Sequence, residues 1–135
     1  MPTLTAIIPL QKPIVGNDVN NWGDQLNAGL DKIDSLGALN VITTSTNLTA
    51  VITVSALTVI GAAGGATGIT ITLPTPIGNR GKAFAVVKTD SAVGTVTVTP
   101  ATGLIASLAS YVLVNLNQNM SAVSDGTNYI IYSNN

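Results

Sequence analysis

The chain has 135 residues, 46% apolar and 8% charged, with a net charge of −1. It contains no His, no Cys and no Glu. These absences argue against thiol chemistry, imidazole acid–base catalysis, soft-metal ligation and a disulfide scaffold, and the near-neutral charge offers no electrostatic signal for nucleic acid or membrane.

Residues 1–16 read as an extended arm. Ile7, Ile8, Leu10, Ile14 and Val15 are apolar, and Pro2, Pro9 and Pro13 oppose a helix. The arm carries no basic segment followed by a long apolar one, so a signal peptide is not expected. Asn17 or Asp18 can cap a helix that runs to Leu36, with Gly37 suited to its end. Val19, Trp22, Leu26, Leu30, Ile33 and Leu36 form one stripe along it, while Asp24, Gln25, Asn27, Asp31, Lys32 and Asp34 fall largely away. The segment 17–37 is therefore predicted as an amphipathic anchor helix. Val19, Trp22, Leu26, Leu30 and Ile33 are its expected protein-contact seam, with Trp22 as the packing anchor.

From residue 38 the period changes to two. Thr70 and Thr72 alternate with Ile69, Ile71 and Leu73, and Thr95, Thr97 and Thr99 alternate with Val96 and Val98. Lys82–Lys88 is apolar on both faces and reads as a strand buried on both sides. Val41–Thr44, Ala50–Ile60, Tyr111–Leu116, Met120–Ser124 and Asn128–Tyr132 are further strand candidates. About eight strands separated by Gly, Pro, Asn and Asp turns predict a mainly β domain over 38–135, an antiparallel β-sandwich or jelly-roll-like barrel.

Ala62–Gly68 is rich in Gly and Ala but lacks the Gly-Lys-Ser/Thr ending of a phosphate loop, so it reads as a flexible turn. Asp31 and Asp34 read as a solvated helix face. Asp125-Gly126 reads as a hairpin turn. No catalytic, cofactor-binding or metal-binding set emerges, and an enzyme is not expected. The longest weakly polar stretch, 50–66, is broken by Thr, Ser and Gly and falls short of the ~20 apolar residues of a spanning helix.

No charge lies between Asp34 and Arg80, nor between Asp90 and Asp125. A body so poor in charge is expected to be covered by partner subunits. Arg80, Lys82 and Lys88 are the candidate inter-subunit charge contacts, opposite the acidic helix of a neighbour.

Two stretches resemble bacteriophage virion proteins. In Pro13–Leu36 the resemblance rests on Gly16, Asn17, Asp18, then Trp22-Gly23, Leu26-Asn27 and Ile33-Asp34, a run similar to the opening of phage fibre proteins. In Thr70–Tyr132 it rests on the run from Ile71 to Asp90, the Val96–Pro100 strand and the closing VSDGTNYII. This implies a non-enzymatic virion structural protein, a short tail or head fibre or fibre-base subunit. By the same resemblance, the arm and helix attach it to the particle, and the β-domain assembles it as a homotrimer. The expected partners are its own copies and other virion proteins: capsid, portal or tail, and fibre components. The chain stops at Asn135, directly after its last predicted strand, where a fibre would continue into a shaft. That favours the alternative of a capsid decoration or cement protein. A carbohydrate-binding module is a third reading, short of aromatics, since the β-domain offers only Tyr111, Tyr129 and Tyr132.

Overall fold

The computed structural model describes residues 39–53 and 55–135, together with Thr3–Leu4, Gln11–Lys12, Asn27, Leu30 and Asp31. The chain divides into two compact units, Met1–Ala38 and Leu39–Asn135. In the first unit, β1 (Thr3–Leu4) pairs antiparallel with β2 (Gln11–Lys12). Asn27, Leu30 and Asp31 are helical; the rest of the predicted helix 17–37 lies outside the described residues.

The second unit is mainly β. Its strands are β3 (Asn40–Thr44), β4 (Leu48–Thr49), β5 (Leu57–Ala62), β6 (Ile69–Leu73), β7 (Ala83–Lys88), β8 (Val96–Pro100), β9 (Tyr111–Leu113), β10 (Asn119–Ser124) and β11 (Tyr129–Asn134). They form a five-stranded sheet in the order β11-β10-β7-β5-β3 and a four-stranded sheet in the order β4-β6-β8-β9. From β3 to β8 the chain places strands in the two sheets alternately. Each strand therefore lies parallel to the one laid down two strands earlier: β3 beside β5 beside β7, and β4 beside β6 beside β8. Only the last three strands pair antiparallel, β9 on β8, β10 on β7 and β11 on β10.

The expected antiparallel sandwich or jelly roll is thus corrected to two mixed sheets. The physical reason is the connections. Sequential strands joined by tight hairpins pair antiparallel, whereas a strand reaches a parallel neighbour only through a crossover. Here the crossover from β3 to β5 contains β4, and so on around the coil. Each turn of this coil lays one strand on each sheet beside the strand laid down one turn earlier.

Alternation decides what is inside. β5, β7 and β10 bury every second residue, as do β6 and β8. In register, Ile42, Ile60, Val86 and Met120 form one inward row across the five-stranded sheet, and Ile71 stands beside Val98 in the other. These residues and Leu73, Phe84, Val96, Ile105, Leu113, Ala122 and Tyr129 make one apolar core. Its aromatic contact is Phe84 edge-on to Tyr129, with ring centres 6.1 Å apart and planes at 81°. Lys82–Lys88, expected to be buried on both sides, has one buried and one half-buried face.

Candidate interaction face

The two sheets present different chemistry outward. On the four-stranded sheet Thr49, Thr72 and Thr99 stand side by side, and Thr70 and Thr97 line up with Val112. Threonine there is the ordinary choice for a pleated surface that meets water: the branched side chain suits the strand and its hydroxyl stays solvated. On the five-stranded sheet the outward rows are Leu57–Ala83–Val123–Ile130 and Val41–Val59–Ala85–Ser121–Ser133, followed by Thr43–Gly61–Val87–Asn119. Eight of these thirteen positions are Val, Leu, Ile or Ala, and none is charged. Val41 at one edge is 64% exposed and Ile130 at the other 51%. The outward positions of this face thus depart from the apolar-in, polar-out alternation of the four-stranded sheet.

Of the seam residues expected on the helix, Val19, Trp22, Leu26 and Ile33 lie outside the described residues. Leu30 is helical and about half exposed, and its neighbours Asn27 and Asp31 are exposed too.

The three basic candidates sit in different surroundings. Arg80 is exposed, on the loop beside Gly126 and Asp125. Lys82 is half-buried, and its ammonium donates to the backbone carbonyls of Thr53 at 2.7 Å and Ser55 at 3.1 Å. Lys88 is fully buried and turned inward. Its Nζ donates to the carbonyl oxygens of Asp90 (2.9 Å) and Ala92 (3.1 Å) and forms an ion pair with the Asp90 carboxylate. Lys88 therefore spends its charge inside its own subunit. Period two carried this signal: Lys88 shares the parity of Phe84 and Val86, the inward side of the strand.

The Asp90 carboxylate in turn organises the glycine-rich segment. Its two oxygens accept the N–H groups of Gly64 (3.1 Å) and Gly65 (2.8 Å). Gly94 donates to the Gly65 carbonyl at 2.8 Å, and Gly68 to that of Gly64 at 2.8 Å. The expected flexible turn at Ala62–Gly68 is thus a backbone-packed loop, and Gly is needed because no Cβ fits between Gly64 and Gly94. The hydrogen bond from Lys88, then that from the Gly65 amide, hold the Asp90 carboxyl below its ordinary value of 3.8. Asp125 is lowered likewise, by the amides of Asn128 and Thr127, each 2.7 Å from its Oδ1. That clasp closes the β10–β11 hairpin expected at Asp125-Gly126.

Both carboxylates have folded-state values below their unfolded ones. Their stabilisation is present above the unfolded value and is lost as pH falls through the folded one. The melting temperature is therefore expected to hold near neutrality and fall on acidification below about pH 4. Thermal melts of the wild type and of Asp90→Asn from neutral to acid pH test this. The variant should melt lower at neutral pH and lose less on acidification; parallel pH curves would refute the assignment.

One open groove, about 360 Å³, lies between the 104–107 turn and β11. It is lined by Leu104, Ala106, Ser107, Asp125, Asn128, Tyr129, Ile130 and Ile131. Asp125 there is committed to its turn, and Asn128 Oδ1 accepts the Leu104 N–H at 2.9 Å. Its polar groups chiefly hold the backbone in place. Among the described residues no three carboxylates gather as a metal site would require. No protein-family model matches this chain, and no curated protein does either.

Proposed function

We propose that the protein is a non-enzymatic structural component of a bacteriophage particle. In this reading it is a short fibre or fibre-base subunit that assembles as a homotrimer. The 1–16 arm and the 17–37 helix hold it to capsid, portal or tail proteins, and the β unit is the outward body. The observation that carries the assembly half of this reading is the uncharged apolar face of the five-stranded sheet. A solvated monomer gains nothing from such a face, and a subunit does. The phage half is supported by the resemblance of the Pro13–Leu36 run to fibre openings. Arg80, exposed on its loop, remains available for an inter-subunit charge contact, whereas Lys88 does not.

The test is made on purified particles. Gold-labelled antibody against residues 39–135 is expected to decorate them, and peptides of the chain are expected in their mass spectrum. A label confined to the tail supports the fibre reading, and a regular label over the head supports a decoration protein. Trp22→Ala and Leu26→Ala should each reduce incorporation, since each removes an apolar anchor of roughly 2 kcal/mol from a buried contact. Particles that lack the chain altogether would overturn the proposal.

A further inference from the structure

We infer that the Arg80–Gly81 peptide bond is a processing site: a protease of tryptic specificity opens the β unit at this bond rather than after Lys82 or Lys88, and the two pieces stay folded together. Such a protease needs a cationic side chain that can leave the fold and enter its acidic specificity pocket, on backbone that can be drawn into its cleft. Three residues of 39–135 carry that charge, Arg80, Lys82 and Lys88. Lys88 stands at the end of the inner strand β7, with its ammonium buried against Asp90 and Ala92. Lys82 gives its ammonium to the carbonyls of Thr53 and Ser55, and its own backbone carbonyl accepts the Ser124 N–H at 2.9 Å. Arg80 alone of the three is exposed, and it makes no ion pair among the described residues.

The backbone around that bond is lightly held. Ile77, Gly78, Arg80 and Gly81 are exposed, and a Cβ on Gly78 or Gly81 would meet open space. Next to the bond, the Gly81 N–H donates to the Ser124 carbonyl at 2.9 Å and the Lys82 N–H to that of Asn79 at 3.1 Å. Local opening there breaks few hydrogen bonds and uncovers none of the core, the combination that marks a nicking site. Hydrolysis breaks the C–N bond between the two residues; water leaves a carboxylate on Arg80 and an amine on Gly81. The cut falls between β6 and β7, yet the topology ties the pieces together. β5 pairs with β7, and β6 with β8, over their full lengths, so in each sheet a strand of one piece is hydrogen-bonded to a strand of the other. The core is shared in the same way, with Ile60 and Ile71 from one piece and Phe84 and Val98 from the other. Losing one connection leaves these pairings and this core in place.

The experiment treats the full chain with trypsin under native conditions and reads the products by mass and by size exclusion. Within 39–135 the first cut is expected after Arg80. Cleavage after Lys88 should be slower by about a hundred-fold or more, because it waits for the whole unit to unfold. Cuts after Lys12 or Lys32 shorten the N-terminal piece and are told apart by mass. The two pieces should elute together, keep the circular dichroism of the intact chain and separate only in urea. Arg80→Gln should melt with the wild type and resist the protease over 39–135. Should that variant fail to fold, the order of cuts in the wild type decides. A β unit left intact by the protease overturns the inference, as does a first cut after Lys82 or Lys88. Pieces that part without denaturant overturn it too.

Discussion

Gly94→Ala is expected to lower the melting temperature by about 10 °C or more, far beyond what one methyl group costs at an ordinary loop position. A Cβ on Gly94 would meet the carbonyl oxygens of Gly65 at 2.5 Å and Gly64 at 2.6 Å, and would press on the Gly68 nitrogen as well. All three are backbone atoms, so no side chain can swing aside. Relief requires the glycine loop to move, and that loop is tied to Asp90, which is tied to the buried Lys88. Overpacking typically costs ~1–3 kcal/mol, and this geometry belongs at the upper end or past it. At ~4–8 °C per kcal/mol for a unit of this size, the shift follows. Gly65→Ala is the control. It has open space for a Cβ, but its φ is +61°, so it should cost only the ~1–2 kcal/mol of a left-handed residue. Thermal melts of both variants, followed by circular dichroism, separate the effects. If Gly94→Ala melts no lower than Gly65→Ala, the loop is not packed as described.

What the sequence carries and what it withholds are both visible in particular elements. Ile69–Leu73 and Val96–Pro100 were readable because their threonines and aliphatics alternate strictly, and alternation is what a half-buried strand imposes. Ala50–Ile60 reads as one strand, yet the structure places β4 before it and β5 at its end, with the crossing between the sheets in the middle. Alternation there is blurred, because the backbone carbonyls of Thr53 and Ser55 are held by Lys82 rather than by a neighbouring strand. Topology was not readable at all. Period two fixes which way a side chain points and says nothing about which strand lies alongside. The partners of β5 are Asn40–Thr44 and Ala83–Lys88, both remote in sequence. The apolar interaction face could be recognised only after that topology was known. Its three rows draw residues from β3, β5, β7, β10 and β11, and no single strand looks unusual. The surroundings of Lys88 and of the glycine loop are hidden in the sequence for a related reason. A charged residue reads as surface and a glycine run as slack, until the fold sets one beside the other.

The second large effect is expected at Tyr129. Tyr129→Ala should destabilise the β unit by about 3–5 kcal/mol, the range for removing a buried aromatic, whereas Tyr129→Phe should cost about 1 kcal/mol at neutral pH. The ring is buried against Phe84, and its hydroxyl donates to the Pro74 carbonyl at 2.9 Å. Its backbone N–H donates to the Leu104 carbonyl at 2.9 Å, and its own carbonyl accepts the Ala106 N–H at 3.0 Å. One residue thus joins the last strand, the core, the proline segment after β6 and the loop before β9. Alanine opens a cavity at that junction, and phenylalanine removes only the hydrogen bond and leaves the Pro74 carbonyl unpaired. The two variants also separate at alkaline pH. Burial pushes the Tyr129 hydroxyl up to about 12, above its ordinary value of 10.0. The unfolded chain releases that proton at lower pH than the folded one. This contribution to stability is therefore complete below pH ~10 and is lost as pH rises toward the folded value. Urea titrations at neutral pH and again between about pH 10 and 12 measure both effects. The wild type should lose stability over the alkaline range more steeply than Tyr129→Phe, which has no proton to release there. Equal alkaline losses in the two proteins, or a Tyr129→Ala variant as stable as Tyr129→Phe, would show that Tyr129 is not the buried junction described.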